Sequence, residues 1–180
     1  MATDQEICRL YQEGGREQAF RLLVQTYKER LYWHIRRMVL DHDDADDCLQ
    51  NTFLKVWRSF DSFRGDAQLY TWLYRIATNE TLTFLSRKQT RGEYTGLDAA
   101  DRLPSDPWFD GDAVQTALHR AIAKLPPRQK AVFNLRYFEE MPYEKIARIL
   151  DASEGALKAS YHHAYEKIKT WMKEMLDVRE

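Results

Sequence analysis

Apolar side chains recur every three or four residues through the first half of the chain, as in amphipathic helices. One such stripe runs from Phe20 to Met38 and predicts a single long helix. A second apolar stripe, from Leu49 to Phe60, predicts a second helix. The acidic run Asp41 to Asp47 suits the start of that helix, because unpaired N–H groups and the helix dipole favour negative charge there. A turn with Gly65 at positive φ separates it from a third predicted helix, Ala67 to Lys88.

The second half of the chain follows the same helical spacing in shorter segments. Helices are predicted from Ala113 to Lys124, and from Pro126 through an apolar stripe that ends at Phe138. A short helix from Tyr143 to Leu150 follows, and the turn after it contains Ser153, a good N-cap for a last helix from Glu154 to Leu176. No period-two strand pattern occurs, so the sequence predicts an all-α protein.

Glycine, proline and charge divide the chain into three parts. Five Gly or Pro residues fall between positions 92 and 111, a density typical of a linker. The formal net charge of -1 is unevenly distributed along the chain. Residues 1–91 contain 14 Lys+Arg and 13 Asp+Glu, a net charge of +1. Residues 92–112 contain 1 Lys+Arg and 6 Asp+Glu, a net charge of -5, and residues 113–180 contain 12 Lys+Arg and 9 Asp+Glu, a net charge of +3. The sequence therefore predicts two small, mildly basic helical domains, 1–91 and 113–180, joined by a flexible acidic linker, 92–112.

Several classes of protein do not fit this chain. No apolar run is long enough to cross a bilayer, and the first ten residues lack the apolar core of a signal peptide. Two cysteines make no disulfide framework. Neither a phosphate-cradling glycine loop nor a Gly-x-Ser-x-Gly motif is present, so we expect no enzyme and no cofactor. His162 and His163 have no His or Cys four residues away, so we expect no metal site.

The last two predicted helices have the form of a helix-turn-helix, in which the first residues of the second helix contact base edges in the major groove. The polar N-terminal half of that helix offers side chains for phosphate or base contact, namely Lys158, Ser160, Tyr161, His162 and His163. An ordinary helical hairpin with a solvated face is the alternative.

Basic and aromatic residues interleave around the third predicted helix. Aromatic faces stack on unpaired bases while cations hold the backbone, so this pattern suits single-stranded or melted nucleic acid. The residues are Phe63, Arg64, Tyr70, Trp72, Tyr74, Arg75, Phe84, Arg87, Lys88 and Arg91. Burial of the aromatic residues in the core is the alternative for each of them.

The start of the second predicted helix mixes acidic and apolar side chains. Asp44, Asp46, Asp47, Gln50 and Phe53 together suit a docking face for a basic partner helix. Helix capping is the alternative, and it accounts for two or three of the acidic residues.

These segments together resemble one known family. The run Asp44 to Trp57, the turn Phe63 to Asp66 and the segment Thr71 to Asn79 resemble region 2 of bacterial sigma factors. Leu125 to Gln129 and Ser153 to Lys158 resemble region 4. The two-region plan, without the first and third regions, resembles the extracytoplasmic-function (ECF) group, and the match covers almost the whole chain in order.

The resemblance implies a role for each segment. It implies a promoter-directing subunit of RNA polymerase that assists promoter melting, acts in the cytoplasm, and contacts the β′ clamp helices and β flap of the core enzyme. Its partners would be duplex promoter DNA, the melted non-template strand and an anti-sigma factor. The residues implied for the β′ clamp helices are Asp44, Asp46, Asp47, Gln50, Phe53 and Trp57.

For promoter DNA the resemblance implies two further sets of residues. The loop from Phe63 to Tyr70 and the helix from Trp72 to Asn79 would recognise the minus-ten element, with a flipped base in a pocket bordered by Asn79. Lys55 and Arg58 would contact the promoter backbone. The last helix would recognise the minus-thirty-five element. Many relatives carry Arg at the positions of Ser160 and His163, so we expect a different minus-thirty-five sequence here.

Two rival functions remain open at the level of sequence. A stand-alone helix-turn-helix repressor would bind a palindromic duplex tightly without polymerase. A helical adaptor would show no salt-dependent binding to DNA at all. With net charges of only +1 and +3 on the two domains, we expect neither to bind DNA strongly alone.

Overall fold

The protein is all-helical across residues 2–65, 68–93 and 111–177, the residues that the computed structural model describes. No strand occurs among them. The N-terminal domain contains α1 (Asp4–Gln12), α2 (Arg16–Val39), α3 (His42–Ser59), a 3-10 helix (Phe60–Ser62) and α4 (Leu69–Thr90). The C-terminal domain contains α5 (Ala113–Ala123), α6 (Pro127–Tyr137), α7 (Tyr143–Leu150) and α8 (Glu154–Asp177). The prediction of two helical domains is confirmed, whereas 94–110, most of the predicted linker, lies outside the described residues.

The helix boundaries follow from local chemistry that the sequence displays. The Asp41 carboxylate accepts a hydrogen bond of 2.9 Å from the Asp44 N–H and caps α3. Gly65 has φ +79, as the predicted turn requires. Ser153 accepts from the Ala156 N–H at 3.1 Å, which confirms it as the cap of the last helix.

The first helix was not predicted. α1 begins with a capping box, in which Thr3 Oγ1 accepts from the Glu6 N–H at 3.2 Å and the Glu6 carboxylate accepts from the Thr3 N–H at 2.7 Å. Ile7, fully buried, anchors the helix against α2. The spacing of Thr3, Glu6 and Ile7 is the signal that could have identified this helix.

The two domains pack against each other. α7 lies along α4, and α6 contacts both α2 and α4. Buried apolar side chains of the C-terminal domain, including Val132, Leu135, Ile146 and Ile149, join the same core as those of α2, α3 and α4. A smaller core lies within the C-terminal domain, around Ile122, Leu125, Phe133 and Ile168. The domains thus share one apolar core in this arrangement.

One buried polar side chain in α6 lowers the stability of the fold. Asn134 is 1% exposed, and neither its amide oxygen nor its amide nitrogen has a hydrogen-bond partner among the described residues. A buried amide without partners costs about 1–3 kcal/mol. We therefore expect Asn134→Leu, which keeps a similar volume, to raise the free energy of unfolding by about 1–2 kcal/mol in urea titrations.

The matched control for this prediction is an asparagine on the surface. Asn79→Leu removes an exposed amide, so the free energy of unfolding should change by less than about 0.5 kcal/mol. A loss of stability in Asn134→Leu at an unchanged m-value would contradict the assignment of Asn134 as an unsatisfied group.

Candidate functional site

One side of α3 is open to solvent and carries acidic, amide and apolar side chains. Asp47, Gln50, Asn51 and Leu54 are exposed and follow helical spacing, so they lie on one face, here called the acidic face. The Leu54 side chain is 51% exposed and adds apolar surface to this face. Asp47 and Gln50 were predicted from the sequence, whereas Leu54 was not, although it lies seven residues after Asp47.

The aromatic residues of α3 lie beside this face, toward α2. The Phe20 ring packs edge-on against Phe53 and Trp57, with centroid distances of 6.4 Å and 5.1 Å. The Arg16 guanidinium lies 4.4 Å from the centroid of Trp57 and donates to its backbone carbonyl at 2.6 Å. Phe20, Trp57 and Val24 line an open groove between α2 and α3. Of the two predicted aromatic residues, Trp57 therefore lines a solvent-facing groove, and Phe53 contacts Phe20, which lines the same groove.

The other acidic residues predicted for this site contact side chains within the protein. Asp44 lies toward α4, where its carboxylate is 2.6 Å from the Lys88 Nζ. Asp46 is 3.3 Å from the His42 imidazole in the first turn of α3. The structure thus separates Asp44 from the acidic face, while Asp47 and Gln50 remain on it.

Cys48 lies on the buried side of the same helix. Burial raises the pKa of the Cys48 thiol to about 12, so the thiol is protonated at neutral pH. The thiolate is the nucleophile and the metal ligand, so this thiol is unreactive in the folded protein. Among the residues described, no group of three or more His, Cys, Asp or Glu side chains is placed to hold a metal ion.

The basic side chains predicted for minus-ten DNA fall into two groups. Lys55 pairs with Glu80 and Lys88 with Asp44, so both bridge α3 and α4. The others are exposed and form no ion pair among the described residues, and the amide predicted beside the base pocket is also exposed: Arg58, Arg64, Arg75, Asn79 and Arg87. The exposed group is available to a nucleic acid as the structure stands.

The aromatic residues of the minus-ten set are half-buried or buried. Phe63 packs on Trp72 at a centroid distance of 5.1 Å, near the start of α4. The Lys145 Nζ of the C-terminal domain lies 4.7 Å from the centroid of the Tyr70 ring. Tyr74 is fully buried, and its hydroxyl donates a 2.9 Å hydrogen bond to Glu139. Tyr74 was predicted to contact DNA, and it cannot do so in this arrangement because the C-terminal domain covers it.

The C-terminal domain contains the predicted helix-turn-helix. α7 ends at Leu150, Asp151 follows with φ +51, and α8 begins after Ser153. Buried Ile146, Ile149 and Leu157 hold the two helices together. This is the geometry in which the N-terminal half of a second helix can enter a major groove.

Residues in the N-terminal half of α8 point in different directions. Lys158, His162 and His163 are exposed, and Ser160 is half-buried. Tyr161 stacks on Phe133 with a centroid distance of 5.4 Å and an interplanar angle of 11°. Desolvation also raises the pKa of the Tyr161 hydroxyl. Tyr161 was predicted to contact phosphate or bases; it is half-buried, and its ring packs on Phe133.

Comparisons with known proteins agree with this geometry. A family model described as Sigma-70 region 2 matches residues 23–91, and one described as Sigma-70, region 4 matches residues 115–168. The RNA polymerase sigma-H factor of Pseudomonas aeruginosa is 30% identical, over 96% of this chain and 95% of its own length. The ECF RNA polymerase sigma-E factor of Escherichia coli K12 is 32% identical, over 92% of each chain. The chain belongs to the ECF group of sigma-70 factors.

Solved structures show the same fold for this ECF sigma factor. The sigma factor RpoE from Bartonella quintana, in complex with the anti-sigma factor NepR, has a TM-score of 0.65 at 23% identity and covers 89% of this chain and 98% of its own. CnrH in complex with the cytosolic domain of CnrY has the same TM-score and identity and covers 93% of each chain. The family assignment means that the protein directs RNA polymerase to promoters. Its family consists of initiation factors that are not catalytic.

The family regions map directly onto the helices. The region 2 match includes all of α3 and α4, and the region 4 match ends within α8. The helix α1 lies outside both matches. Within the described residues of this sigma factor, no helix is long and apolar enough to cross a membrane.

Proposed function

We propose that this sigma factor binds core RNA polymerase through α3 and recognises its promoter through α4 and α8. Residues 1–91 would bind the β′ clamp helices and the minus-ten element, and residues 113–180 the β flap and the minus-thirty-five element, with 92–112 as the linker. The protein would contribute binding energy rather than catalysis, and it would act in the cytoplasm with the polymerase.

The observation that carries the proposal is the acidic face. A large apolar side chain, Leu54, is exposed on the same face as Asp47 and Gln50, one helical turn before Trp57, which lines the groove. Exposed apolar patches rimmed by polar residues mark protein interfaces. Carboxylates around the patch favour a basic partner and disfavour an acidic one. The acidic face therefore suits a basic amphipathic segment of core polymerase better than it suits DNA.

The minus-ten side of the proposal rests on α4 and the turn before it. Arg75 and Asn79 are exposed one turn apart on α4, and Arg58 lies exposed on neighbouring α3. Extrusion of a base from the stack costs a few kcal/mol, which contacts in a pocket must offset. Arg58 and Arg75 would bind the backbone of the unpaired DNA strand. The edge of the Trp72–Phe63 pair would contact its bases. Melting would be assisted because these contacts exist only with the unpaired strand.

An anti-sigma partner is part of the proposal. Two solved relatives of the same fold are complexes of a sigma factor with an anti-sigma factor or with the cytosolic domain of CnrY. A protein that covers the acidic face or α4 would compete with polymerase or promoter. Competition between such a partner and core polymerase, measured by co-purification, is the corresponding test.

The minus-thirty-five side of the proposal predicts a specific salt dependence. Lys158 is exposed in the second turn of α8, where a helix-turn-helix meets DNA. Loss of one phosphate contact lowers the slope of log K against log salt by about 1. We therefore expect the holoenzyme with Lys158→Ala to bind promoter duplex several-fold more weakly, with a salt slope smaller by about 1.

The matched control is a lysine at the other end of the same helix. Lys173 is exposed and lies about 22 Å farther along α8, given a rise of about 1.5 Å per residue. Lys173→Ala should leave both the affinity and the salt slope unchanged. An unchanged slope in Lys158→Ala would show that Lys158 makes no phosphate contact.

A further inference from the structure

A carboxylate just after α3 is held by two side chains from an earlier part of the chain. Asp61 lies in the 3-10 helix, and one of its oxygens accepts a hydrogen bond from the Tyr11 hydroxyl of α1. The other oxygen accepts a 3.3 Å hydrogen bond from the Arg16 guanidinium at the start of α2. Tyr11 and Arg16 both precede residue 23, where the Sigma-70 region 2 match begins. The contacts therefore join a segment before the matched region to its interior.

Arg16 also holds the end of α3. Its guanidinium donates a 2.6 Å hydrogen bond to the Trp57 backbone carbonyl, in the last turn of that helix. Carbonyls in the last turn have no partner within a helix, and the helix dipole favours a cation there. The same guanidinium contacts Asp61, so it fixes both the end of α3 and the 3-10 helix that follows. A 3-10 helix has poorer hydrogen-bond geometry than an α-helix, so such outside contacts stabilise it.

The 3-10 helix in turn positions the aromatic pair that is proposed to contact melted DNA. The Tyr11 ring packs edge-on against Phe60 at a centroid distance of 4.2 Å, and the Phe60 ring lies 6.1 Å from Trp72. The Phe63 N–H donates a 3.2 Å hydrogen bond to the Phe60 carbonyl, and the Phe63 ring packs on Trp72 at 5.1 Å. A displacement of the 3-10 helix would therefore move Phe63 relative to Trp72.

The sign of its charge separates Asp61 from the predicted DNA contacts around it. Its side chain is 68% exposed, and exposed Arg58 and Arg64 lie three residues before and after it in the sequence. A carboxylate repels the phosphate backbone, so it disfavours direct binding to DNA. Its partners are instead Tyr11 and Arg16. This pattern of contacts favours a role in geometry rather than in contact with DNA.

We infer that Asp61 is a positioning residue for promoter melting, which fixes the 3-10 helix through Tyr11 and Arg16. The helix fixed in this way holds Phe63 against Trp72 before DNA binds. This role rests on the proposed minus-ten surface and adds to it residues that do not touch DNA. Groups already ordered in the bound conformation lose less conformational entropy on binding. The unpaired non-template strand therefore binds more tightly when the contacts of Asp61 are intact.

Binding of holoenzyme to a fork-junction DNA measures this effect. The probe is built from a promoter fragment identified by run-off transcription, with duplex at the minus-thirty-five element and only the non-template strand at the minus-ten element. Holoenzyme with Asp61→Ala should bind it about three- to tenfold more weakly, because partly exposed contacts of a carboxylate contribute modestly. Tyr11→Phe, which removes one of these contacts, should have a smaller effect in the same direction.

Two further affinities distinguish positioning from a general loss of folded protein. The first is the affinity of holoenzyme for the minus-thirty-five duplex alone, and the second is the affinity of the free protein for core polymerase. Neither partner is proposed to contact the Phe63–Trp72 pair, so both affinities should stay unchanged in Asp61→Ala. Unfolding would lower all three affinities together.

Two substitutions serve as controls. Tyr27→Phe removes a hydroxyl that donates to Asp4, a contact that joins α1 to α2 without reaching the 3-10 helix, so fork-junction binding should be unchanged. Asp61→Asn keeps an acceptor for the Tyr11 hydroxyl, so it should recover part of the affinity that Asp61→Ala loses.

The positioning role would be overturned if Asp61→Ala bound the fork junction as tightly as the unsubstituted protein does. An equal loss in Tyr27→Phe, or an equal loss on the minus-thirty-five duplex, would overturn it as well. A different result would overturn the proposed minus-ten surface itself: unsubstituted holoenzyme that binds the fork junction no more tightly than the minus-thirty-five duplex alone. The two failures are therefore distinguishable.

Discussion

Asp47→Arg should abolish binding to core RNA polymerase while the fold remains intact. Asp47 is exposed on the acidic face and makes no ion pair within the described residues, so its replacement removes no intramolecular contact. A cation there would face the basic segment of polymerase that the face is proposed to bind. Juxtaposed like charges at an interface cost several kcal/mol, which corresponds to a loss of affinity of 100-fold or more. Native-gel association with core polymerase measures the loss.

The control for Asp47→Arg is a charge reversal elsewhere in the same domain. Glu13 is exposed at the end of α1, and its only ion pair among the described residues is a 3.9 Å contact with exposed Arg9. Glu13→Arg should therefore bind polymerase as the unsubstituted protein does. Circular dichroism should show equal helix content in both variants. If Asp47→Arg associated with core polymerase normally, the acidic face would not be the docking surface.

Acid should destabilise the protein through His34 over a defined range of pH. The imidazole is fully buried, its Nε2 lies 2.8 Å from the Thr78 hydroxyl, and its Nδ1 has no partner among the described residues. Burial, with a smaller contribution from Arg37, lowers the pKa of His34 to about 3. Protonation would place a cation in the core with an N–H that has no acceptor.

The direction of the pH effect follows from proton binding in the two states. In the unfolded chain the histidine pKa is about 6.5, so between about pH 6.5 and pH 3 the unfolded state binds a proton that the folded state does not. The free energy of unfolding therefore falls as the pH drops through this range. Between pH 6.5 and pH 4.5 the loss from His34 alone should be about 2 kcal/mol.

His34→Phe isolates this contribution, because the ring stays and the titration disappears. Urea titrations at pH 6.5 and pH 4.5 should show that the variant loses about 2 kcal/mol less stability than the unsubstituted protein. Titration of carboxylates is common to both proteins and cancels in the difference. The same loss in both proteins would mean that His34 is not held neutral by the fold.

Local structure was predictable from the sequence, because its causes are local. The eight-residue helix α7 was predicted with its observed ends, since Pro142 precedes its start and an apolar stripe ends at Leu150. The missed helix α1 carries an equally local signal in Thr3 and Glu6. Short helices with few apolar residues are the ones that periodicity alone does not identify.

Contacts between distant segments were not predictable from the sequence. Tyr74 fits a pattern of aromatic and basic residues for nucleic acid, yet its hydroxyl partner, Glu139, lies 65 residues away in the other domain. Lys55 and Lys88 were predicted as DNA contacts, and their ion pairs with Glu80 and Asp44 depend on how α3 packs on α4. Such pairings depend on tertiary packing, which periodicity and spacing do not encode.

Run-off transcription tests the central claim most directly. Core RNA polymerase and genomic promoter fragments are incubated with and without the full-length protein, and transcripts of defined length are measured. We predict initiation at specific sites only when protein and polymerase are both present, and loss of those transcripts with Asp47→Arg. Tight binding to a palindromic duplex without polymerase, together with no transcripts, would favour a repressor and contradict the account. The absence of both transcripts and salt-dependent DNA binding would contradict it equally, in favour of a helical adaptor.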